Sequence, residues 1–268
     1  DANADLFWGI RGGGGNFGIA TEFIYRLHPF NPIVYGGMLH YEASKDSLDF
    51  YAEMLESVPD EANIEIYLFP GPDGEPEFAV ETVWCGDHAA GEKSLSALTQ
   101  FPGLKRGELA PFPYRQIQTS VDEMLAHGLQ YYLKSSFMAE LTAEAIETIV
   151  DYSHRGGPAG WWTQHMKGAT ARVAPDATAF LHRNVAINFG IMYVAPDPEG
   201  NDAGIAAVRE FYKAMEPHFV GFYTNLNDDT EQKTWGNYGD NYPRLVELKN
   251  KYDPDNLFRL NANIKPTV

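Results

Sequence analysis

The most constraining feature of this 268-residue chain is a glycine run near its N-terminus. Residues 11–23 read RGGGGNFGIATEF, in which Gly13, Gly15 and Gly18 have the spacing G-x-G-x-x-G. A dinucleotide-binding turn of this spacing follows a strand and opens a helix, whose N-terminus faces the pyrophosphate. Here residues 4–8 have a helical pattern and residues 21–27 alternate like a strand. The order is reversed, so the run does not indicate a Rossmann turn.

The glycines still have a physical meaning. Residues without Cβ can adopt positive φ and let another group approach the backbone closely. The alternative is a flexible linker, which would continue with more Ser and Gly. Asn16 and Phe17 interrupt the run, and apolar segments flank it closely, which favours a structured loop.

The composition indicates a folded protein and excludes several partners. Hydrophobic residues make up 44% of the chain, and 37 acidic against 20 basic residues give a net charge of −17. Such a charge argues against nucleic acid or an anionic membrane as a partner. The sequence shows no transmembrane run and no signal peptide, which predicts a cytoplasmic protein, with secretion as the alternative because the N-terminus is expected to be missing. Because it begins without Met inside an apparent element, we expect a fragment.

Metal and disulfide chemistry are not expected. Cys85 is the only cysteine, so no internal disulfide can form, and we expect a buried structural thiol. The sequence contains no His, Cys and Asp cluster with metal-ligand spacing, so no metal is predicted.

Hydrophobic periodicity predicts an α+β fold, with an antiparallel sheet and helices on one of its faces. Two strands flank Gly71-Pro72-Asp73-Gly74 as a β-hairpin. Ser44 and Thr142 are predicted helix N-caps. Strands are expected at 34–41, 64–69, 77–84, 131–137, 161–173 and 185–194, and helices at about 44–57, 88–101, 142–152, 203–215 and 242–251.

Three motifs near the ends of the chain belong together. The first is Asp5-Leu6-Phe7-Trp8 followed by residues 11–19, RGGGGNFGI. The second is residues 238–245, YGDNYPRL, with residues 251–259, KYDPDNLFR, and the third is Tyr223-Thr224-Asn225, a Y-x-N motif. These motifs resemble those of berberine-bridge-enzyme-like flavin oxidases, and the resemblance spans essentially the whole chain.

The resemblance implies FAD as cofactor and a chain in three parts. Residues 1–30 would end the first FAD-binding segment, residues 31–218 would form the substrate domain, and residues 219–268 would return to the FAD-binding domain. The missing N-terminal half would hold the pyrophosphate and any covalent tether. The resemblance places the following residues near the cofactor: Gly15, Asn16, Phe17, Gly18, Ile19, Tyr223, Asn225 and Asn241.

The residue that would accept the substrate's proton is not evident. Plant members use a Tyr directly after the Y-x-N motif, or a Glu on a strand above the flavin. These positions fall at Leu226 and close to Phe189, and neither side chain can take a proton. The remaining substrate-side candidates are Tyr67, Tyr132, Lys134 and His165, with Tyr132 and His165 as catalytic candidates. The alternatives are buried structural tyrosines, a solvated lysine and a structural histidine.

These observations predict an FAD-dependent oxidoreductase that oxidises a small alcohol, sugar or amine by hydride transfer to flavin. Its partner would be a small-molecule substrate. The alternative is a non-catalytic domain of the same family that binds a ligand or a partner. An upstream pyrophosphate-binding loop in the parent protein would favour the enzyme.

Overall fold

The computed structural model describes residues 2–227, 234–260 and 262–268. The strands are β1 (Ile33–Glu42), β2 (Ala62–Pro70), β3 (Pro76–Trp84), β4 (Leu104–Gly107), β5 (Ala110–Pro113), β6 (Gln130–Met138), β7 (Ala159–His165), β8 (Ile187–Ala195) and β9 (Gly221–Phe222). The helices are α1 (Ala4–Ile10), α2 (Lys45–Glu56), α3 (His88–Gln100), α4 (Tyr114–Gln118), α5 (Ala143–Arg155), α6 (Asn201–Met215), α7 (Thr234–Tyr238) and α8 (Tyr242–Tyr252).

The strands form one sheet in the order β4-β1-β3-β2-β7-β8-β6-β9, and β5 also pairs with β1. Every strand pair is antiparallel. The hairpin of β2 and β3 pairs Ala62 with Trp84 at one end and Pro70 with Pro76 at the turn. The hairpin predicted around Gly71-Pro72-Asp73-Gly74 is therefore confirmed.

Helices α2, α3, α5 and α6 cover one face of this sheet. Ile64 and Ile66 of β2 and Phe189 of β8 lie in the same buried cluster as Leu48 of α2 and Val208 of α6. The predicted caps are present, because Ser44 accepts the amide of Ser47 and Thr142 accepts the amide of Ala145. The predicted α+β class, with an antiparallel sheet and helices on one face, is confirmed.

A smaller second core joins the two ends of the chain. Trp8 of α1 and Phe17 of the glycine run pack with Leu245 and Leu248 of α8, and Ala179, Tyr238 and Ile264 complete the cluster. One segment from the middle of the sequence therefore contributes to this core. The proposed division into residues 1–30, 31–218 and 219–268 stays a prediction.

Three expectations were wrong. Residues 21–27 do not form a strand, because no described strand pairs with them. Side chains on both sides of this segment are exposed, with 64% of Phe23 and 90% of Ile24 accessible to solvent. The strand expected at 161–173 ends at His165, where the chain enters turns. Cys85 is exposed rather than buried, because it follows the last residue of β3.

Two absences hold for the described ranges, residues 2–227, 234–260 and 262–268. None of the helices there has the length and apolar character needed to cross a bilayer. Among the same residues, no group of three or more His, Cys, Asp or Glu side chains could hold a metal ion.

Candidate functional site

The glycine loop, residues 11–18, follows α1 and packs tightly against its neighbours. A Cβ on Gly12 would overlap the backbone nitrogen of Phe180, and one on Gly13 would overlap the carbonyl oxygen of Gly9. Gly12 also has a φ of +119°, which L side chains rarely adopt. At Gly15, by contrast, a Cβ would meet nothing within 4 Å. The first two glycines permit close packing, and Gly15 leaves open space.

Asn16 and Phe17 face away from that open space. The Asn16 side chain is completely buried, and its Nδ2 donates to the carbonyl oxygen of Gly13 at 2.9 Å. Its Oδ1 accepts the amide of Ile264 at 2.9 Å. Phe17 packs in the second core. The side chains of both residues therefore hold the loop, and the expectation that the loop lies near the cofactor stays a prediction.

Three other residues expected near the cofactor are Gly18, Ile19 and Asn241, and their contact with it stays a prediction. Ile19 is 82% exposed in the segment after the loop, and Gly18 precedes it there. Asn241 uses its amide to donate to the carbonyl oxygens of Pro175 at 2.9 Å and Thr178 at 3.2 Å. Asn241 is buried, and its side chain hydrogen-bonds the backbone instead of facing open space.

The glycine loop and the Y-x-N motif line one cavity of about 590 Å³. Gly15 contributes from the loop, Tyr223 and Asn225 contribute from the motif, and Arg11 and Arg183 add two guanidinium groups. Asn225 is exposed and its Nδ2 donates to the Tyr223 hydroxyl at 3.0 Å. Gly15, Tyr223 and Asn225 therefore lie around one space, which we call the glycine-loop cavity, and their contact with a cofactor stays a prediction.

Arg183 is the most unusual group in the glycine-loop cavity. Its Nη2 donates to Thr178 Oγ1 at 2.9 Å, and its guanidinium carbon lies 4.7 Å from the centre of the Phe180 ring. Its Nε is buried and has no hydrogen-bond partner in the described structure. Burial lowers the pKa of this guanidinium. A buried donor without a partner is costly, so an acceptor from a bound molecule would stabilise it.

The alternation of strand residues separates two sets of predicted substrate residues. Tyr132 and Lys134 point to the helices: the Tyr132 hydroxyl accepts from Arg209 Nε at 2.9 Å, and Lys134 Nζ lies 4.5 Å from the centre of the Tyr212 ring. Both partners belong to α6. This placement corrects the expectation that Tyr132 and Lys134 contact substrate, because they lie on the helix-covered side of the sheet.

Tyr67 and His165 are differently placed. Tyr67 alternates with the core residues Ile64 and Ile66 of β2 and so lies on the face opposite the helices, which we call the second face. The Tyr67 hydroxyl donates to Glu65 Oε2 at 2.7 Å. His165 lies at the end of β7, and its Nε2 is buried without a described partner. Burial, and then the charge of Lys167, lower the pKa of His165.

A second cavity of about 510 Å³ lies at this end of the second face. His165 lines it together with Glu65 and Glu81, which are directly paired across β2 and β3. Glu65 also accepts from Asn63 Nδ2 at 3.2 Å. Burial, reinforced by the charge of Glu65, raises the pKa of Glu81 to about 7. This space, the Glu65 cavity, therefore holds a carboxylate that gains or loses a proton near neutral pH.

Comparison with known proteins finds relatives along almost the whole chain. The "Berberine and berberine like" family model matches residues 222–265. An FAD-linked oxidoreductase of Dictyostelium discoideum is 30% identical over 272 residues, covering 99% of this chain and 59% of that protein. The chain is therefore similar to berberine-bridge-enzyme-like, FAD-linked oxidoreductases. It spans about three fifths of the length of the relatives that it matches, as shown by the 59% coverage.

Two further comparisons give similar proteins. Chitooligosaccharide oxidase of Gibberella zeae is 26% identical over 295 residues, covering 98% of this chain and 59% of that protein. The structure of Physcomitrella patens BBE-like 1 superposes with a TM-score of 0.84 at 19% identity, covering 98% of this chain and 61% of that chain. At that identity the superposition shows a shared fold.

Apolar side chains occupy the two positions that correspond to the proton acceptors of berberine-bridge-enzyme-like enzymes. Phe189 is completely buried in the helix-side core. Leu226 ends a short 3₁₀ turn at Thr224–Leu226 and is half-buried. Neither can accept a proton, so any proton-accepting residue must lie elsewhere.

Sequence reasoning missed several polar groups of the two cavities. These are Arg183, Glu65 and Glu81. The signal for Glu65 was available, because it alternates with Ile64 and Ile66 in a strand whose apolar face is buried. The pairing of Glu65 with Glu81 needed the hairpin register, and the role of Arg183 needed the packing of residues far apart in sequence.

Proposed function

We propose that the protein is an FAD-dependent oxidoreductase that oxidises a small alcohol, sugar or amine by hydride transfer to flavin. The observation that carries this proposal is the glycine-loop cavity, where Gly15 meets Tyr223 and Asn225 in a chain whose relatives are named FAD-linked oxidoreductases. When bound, the flavin would accept the hydride. In this proposal residues 1–30 and 219–268 contribute to the cofactor side, and residues 31–218 form the substrate side.

The cavity has the properties that a flavin would require. Gly15 leaves room for a flat group to approach the backbone, since a Cβ there would project into open space. The Asn225 amide can both donate and accept hydrogen bonds toward a polar ring edge. Arg183 Nε offers a buried donor that lacks an acceptor among the described residues. These three groups would bind and orient the cofactor.

The substrate side is assigned to the second face of the sheet. Oxidation of an alcohol also requires that its hydroxyl proton be accepted. Tyr67, hydrogen-bonded to Glu65, faces this side, and His165 lines the Glu65 cavity at its end. We assign them to substrate contact and proton handling, and we do not retain Tyr132 and Lys134.

A non-catalytic binding domain is the alternative, and one observation favours it. The positions that supply a proton acceptor in the family are held by Leu226 and by residues close to Phe189. A member that has lost its base would retain the cavities and lose turnover.

Flavin content and single-turnover reduction of the full-length protein test the proposal. We expect a bound-flavin absorbance spectrum that bleaches when a donor is added under anaerobic conditions. Asn225→Ala should lower flavin occupancy or weaken binding by ~1–3 kcal/mol, because a polar flavin atom is left unpaired. Asn250→Ala is the control, since its amide pairs with Thr267 away from the cavity. Unchanged flavin binding in Asn225→Ala would remove Asn225 from the cofactor contacts.

The 268-residue chain by itself provides a second test. Because the resemblance assigns the pyrophosphate contacts to an upstream segment, FAD titrated into this chain should bind weakly or not at all. Flavin fluorescence measures the binding. Tight stoichiometric binding would show that the pyrophosphate contacts lie within these residues. Flavin that is bound by the full-length protein but never reduced by any alcohol, sugar or amine would favour the binding domain.

A further inference from the structure

The glycine-loop cavity is positively charged, although the chain as a whole is acidic. Arg11 and Arg183 are the charged residues among the described ones that line it, and none of those lining residues is acidic. The whole chain, by contrast, carries a net charge of −17. A cavity whose sign is opposite to that of the surrounding protein favours a negatively charged group.

Both guanidinium groups interact with neutral partners in the part of the chain that the structure describes. Arg11 Nε donates to the carbonyl oxygen of Phe7 at 3.0 Å, and the Arg11 guanidinium carbon lies 4.3 Å from the centre of the Phe7 ring. Arg183 Nη2 donates to the hydroxyl of Thr178 at 2.9 Å. Because these partners carry no charge, neither guanidinium is neutralised by them.

Packing holds Arg183 at the wall of the cavity. Its guanidinium carbon lies 4.7 Å from the centre of the Phe180 ring, and that ring meets the ring of Tyr223 edge to face at 6.4 Å. The backbone amide of Phe180 donates to the carbonyl oxygen of Arg11 at 3.1 Å. Gly12 permits this close approach, since a Cβ there would overlap the Phe180 backbone. The segment that carries Arg183 is thereby held against the glycine loop, which brings both guanidinium groups to one cavity.

The two arginines differ in their exposure to solvent. Arg11 is exposed, whereas the Nε of Arg183 is buried and has no described hydrogen-bond partner. An arginine keeps its proton in proteins, so the positive charge of Arg183 persists although burial lowers its pKa. Because less water screens it, a buried charge attracts an opposite charge more strongly than an exposed one does. Arg183 should therefore distinguish a negatively charged group from a neutral group of the same shape.

We propose that Arg183, assisted by Arg11, binds the reduced form of the flavin more tightly than the oxidised form and so raises the reduction potential of the bound cofactor. This inference rests on the proposed function and adds what sets the redox potential of the site. When the C–H bond of the donor breaks, its hydrogen leaves with both electrons of the bond, so a neutral flavin ring that accepts it gains one negative charge. Fixed positive groups that face a developing negative charge stabilise it without having to reorient.

A purely structural role for Arg183 predicts a different result. Loss of the Thr178 hydrogen bond or of the Phe180 contact would loosen the cavity for both forms of the flavin alike. The ratio of the two affinities, and with it the reduction potential, would then stay unchanged. Removal of a charge that acts on the reduced form changes this ratio.

Measurement of the reduction potential of the flavin in the full-length holoenzyme tests the proposal. In Arg183→Gln the affinity for the reduced flavin should fall about tenfold relative to that for the oxidised flavin, which lowers the potential of a two-electron couple by ~30 mV. Arg183→Lys keeps the charge and should recover more than half of this loss. Arg11→Gln should shift the potential in the same direction but less, because water screens the exposed Arg11.

Arg155→Gln is the control, since it removes an equal charge from the exposed end of α5, where Arg155 pairs with Asp151. Its potential should equal that of the wild type. If Arg183→Gln binds oxidised flavin more weakly at an unchanged potential, Arg183 only holds the cavity together and the inference is wrong. A potential that falls equally in Arg155→Gln would also overturn it. If Arg183→Gln retains no flavin, Arg183→Lys and Arg11→Gln decide, and a wild-type potential in Arg11→Gln with a loss of ~30 mV in Arg183→Lys would contradict a role of charge. A full-length wild-type protein without flavin would instead overturn the proposed function.

Discussion

Asn16 shows how one motif residue can hold two distant parts of the chain together. Its amide donates to the carbonyl oxygen of Gly13 at 2.9 Å and to that of Ala262 at 3.3 Å, and it accepts the amide of Ile264. Its own carbonyl oxygen accepts from Lys249 Nζ at 2.9 Å. One side chain thus joins the glycine loop to the last residues of the chain. Because these hydrogen bonds fix the loop beside the C-terminal segment, Gly15 and Asn225 line the same cavity.

At the same scale, the Glu65–Glu81 pair predicts a specific dependence of stability on pH. Burial and the neighbouring Glu65 raise the pKa of Glu81 from 4.5 to about 7 in the folded chain. The folded state therefore binds this proton more tightly than the unfolded state, and the ionised form disfavours folding. The contribution of protonated Glu81 to stability is complete below pH 4.5 and is lost as the pH rises through about 7.

Glu81→Gln removes this titration. At pH 8 the variant should be more stable than the wild type by about 1–2 kcal/mol, a value reduced from the full shift because Glu81 is only half-buried. At pH 4 the two free energies of unfolding should agree. Urea unfolding at the two pH values measures the difference, with the exposed Glu123→Gln as control. A stability gain at pH 4 that equals the gain at pH 8 would contradict the raised pKa.

Among the secondary-structure elements, the helices and the hairpin were predictable because their signals are local. Ser44 and Thr142 stand directly before helical periodicity, and Gly71-Pro72-Asp73-Gly74 separates two strand-like runs. The 21–27 segment shows the limit of this reasoning, since its alternation is as regular as that of β2. Alternation predicts a strand only where a neighbouring strand can pair, and that information is not local.

The site was less predictable than the elements for the same reason. Alternation along one strand does not state which face carries the helices, so Tyr132 and Tyr67 looked equivalent in sequence. The contacts of Tyr132 with Arg209 and of Tyr67 with Glu65 separate them. The motif resemblance correctly brought the glycine loop near Tyr223 and Asn225, but only packing shows that Asn16 turns inward.

A capping test applies at the scale of elements. Thr142 Oγ1 accepts the amide of Ala145 at the start of α5, so Thr142→Ala should lower the free energy of unfolding by about 1 kcal/mol. Thr148 provides a matched Thr→Ala control inside the same helix, where its hydroxyl only donates back to the carbonyl oxygen of Glu144. We expect Thr148→Ala to be neutral or slightly stabilising, since Ala has the higher helix propensity. Equal losses in the two variants, measured by urea unfolding, would show that the cap does not stabilise α5.

The whole molecule contains two cores connected by an exposed segment. Residues 18–31 have no regular structure up to a bend at Asn31–Pro32, and they carry most of their large apolar side chains outside. On one side of this segment, Trp8 and Phe17 are buried in the second core. On the other side, β1 belongs to the sheet. Stability should therefore differ along the chain, with the segment as its most accessible part.

Limited proteolysis of the 268-residue chain tests this arrangement. Trypsin should cut first after Arg26, because its neighbour Leu27 is 89% exposed and the backbone there forms no strand. The released ends should stay together. Trp8 Nε1 donates to the carbonyl oxygen of Asp176 at 2.7 Å, and the Arg244 guanidinium lies 3.9 Å from the centre of the Trp8 ring. Intact mass spectrometry identifies the cut, and size exclusion followed by denaturing electrophoresis shows whether the pieces co-elute.

Two variants distinguish the accessibility of the segment from the strength of the second core. Arg26→Gln should remove the first cut and leave the other trypsin fragments unchanged. Asn16→Ala should preserve the cut but release the N-terminal piece, because the Ile264 amide and the Gly13 carbonyl lose their buried partner. If trypsin first cuts within α8 or the sheet, the segment is not the most accessible part of the chain. If the nicked wild-type pieces separate at once, the second core does not hold the N-terminal residues in place.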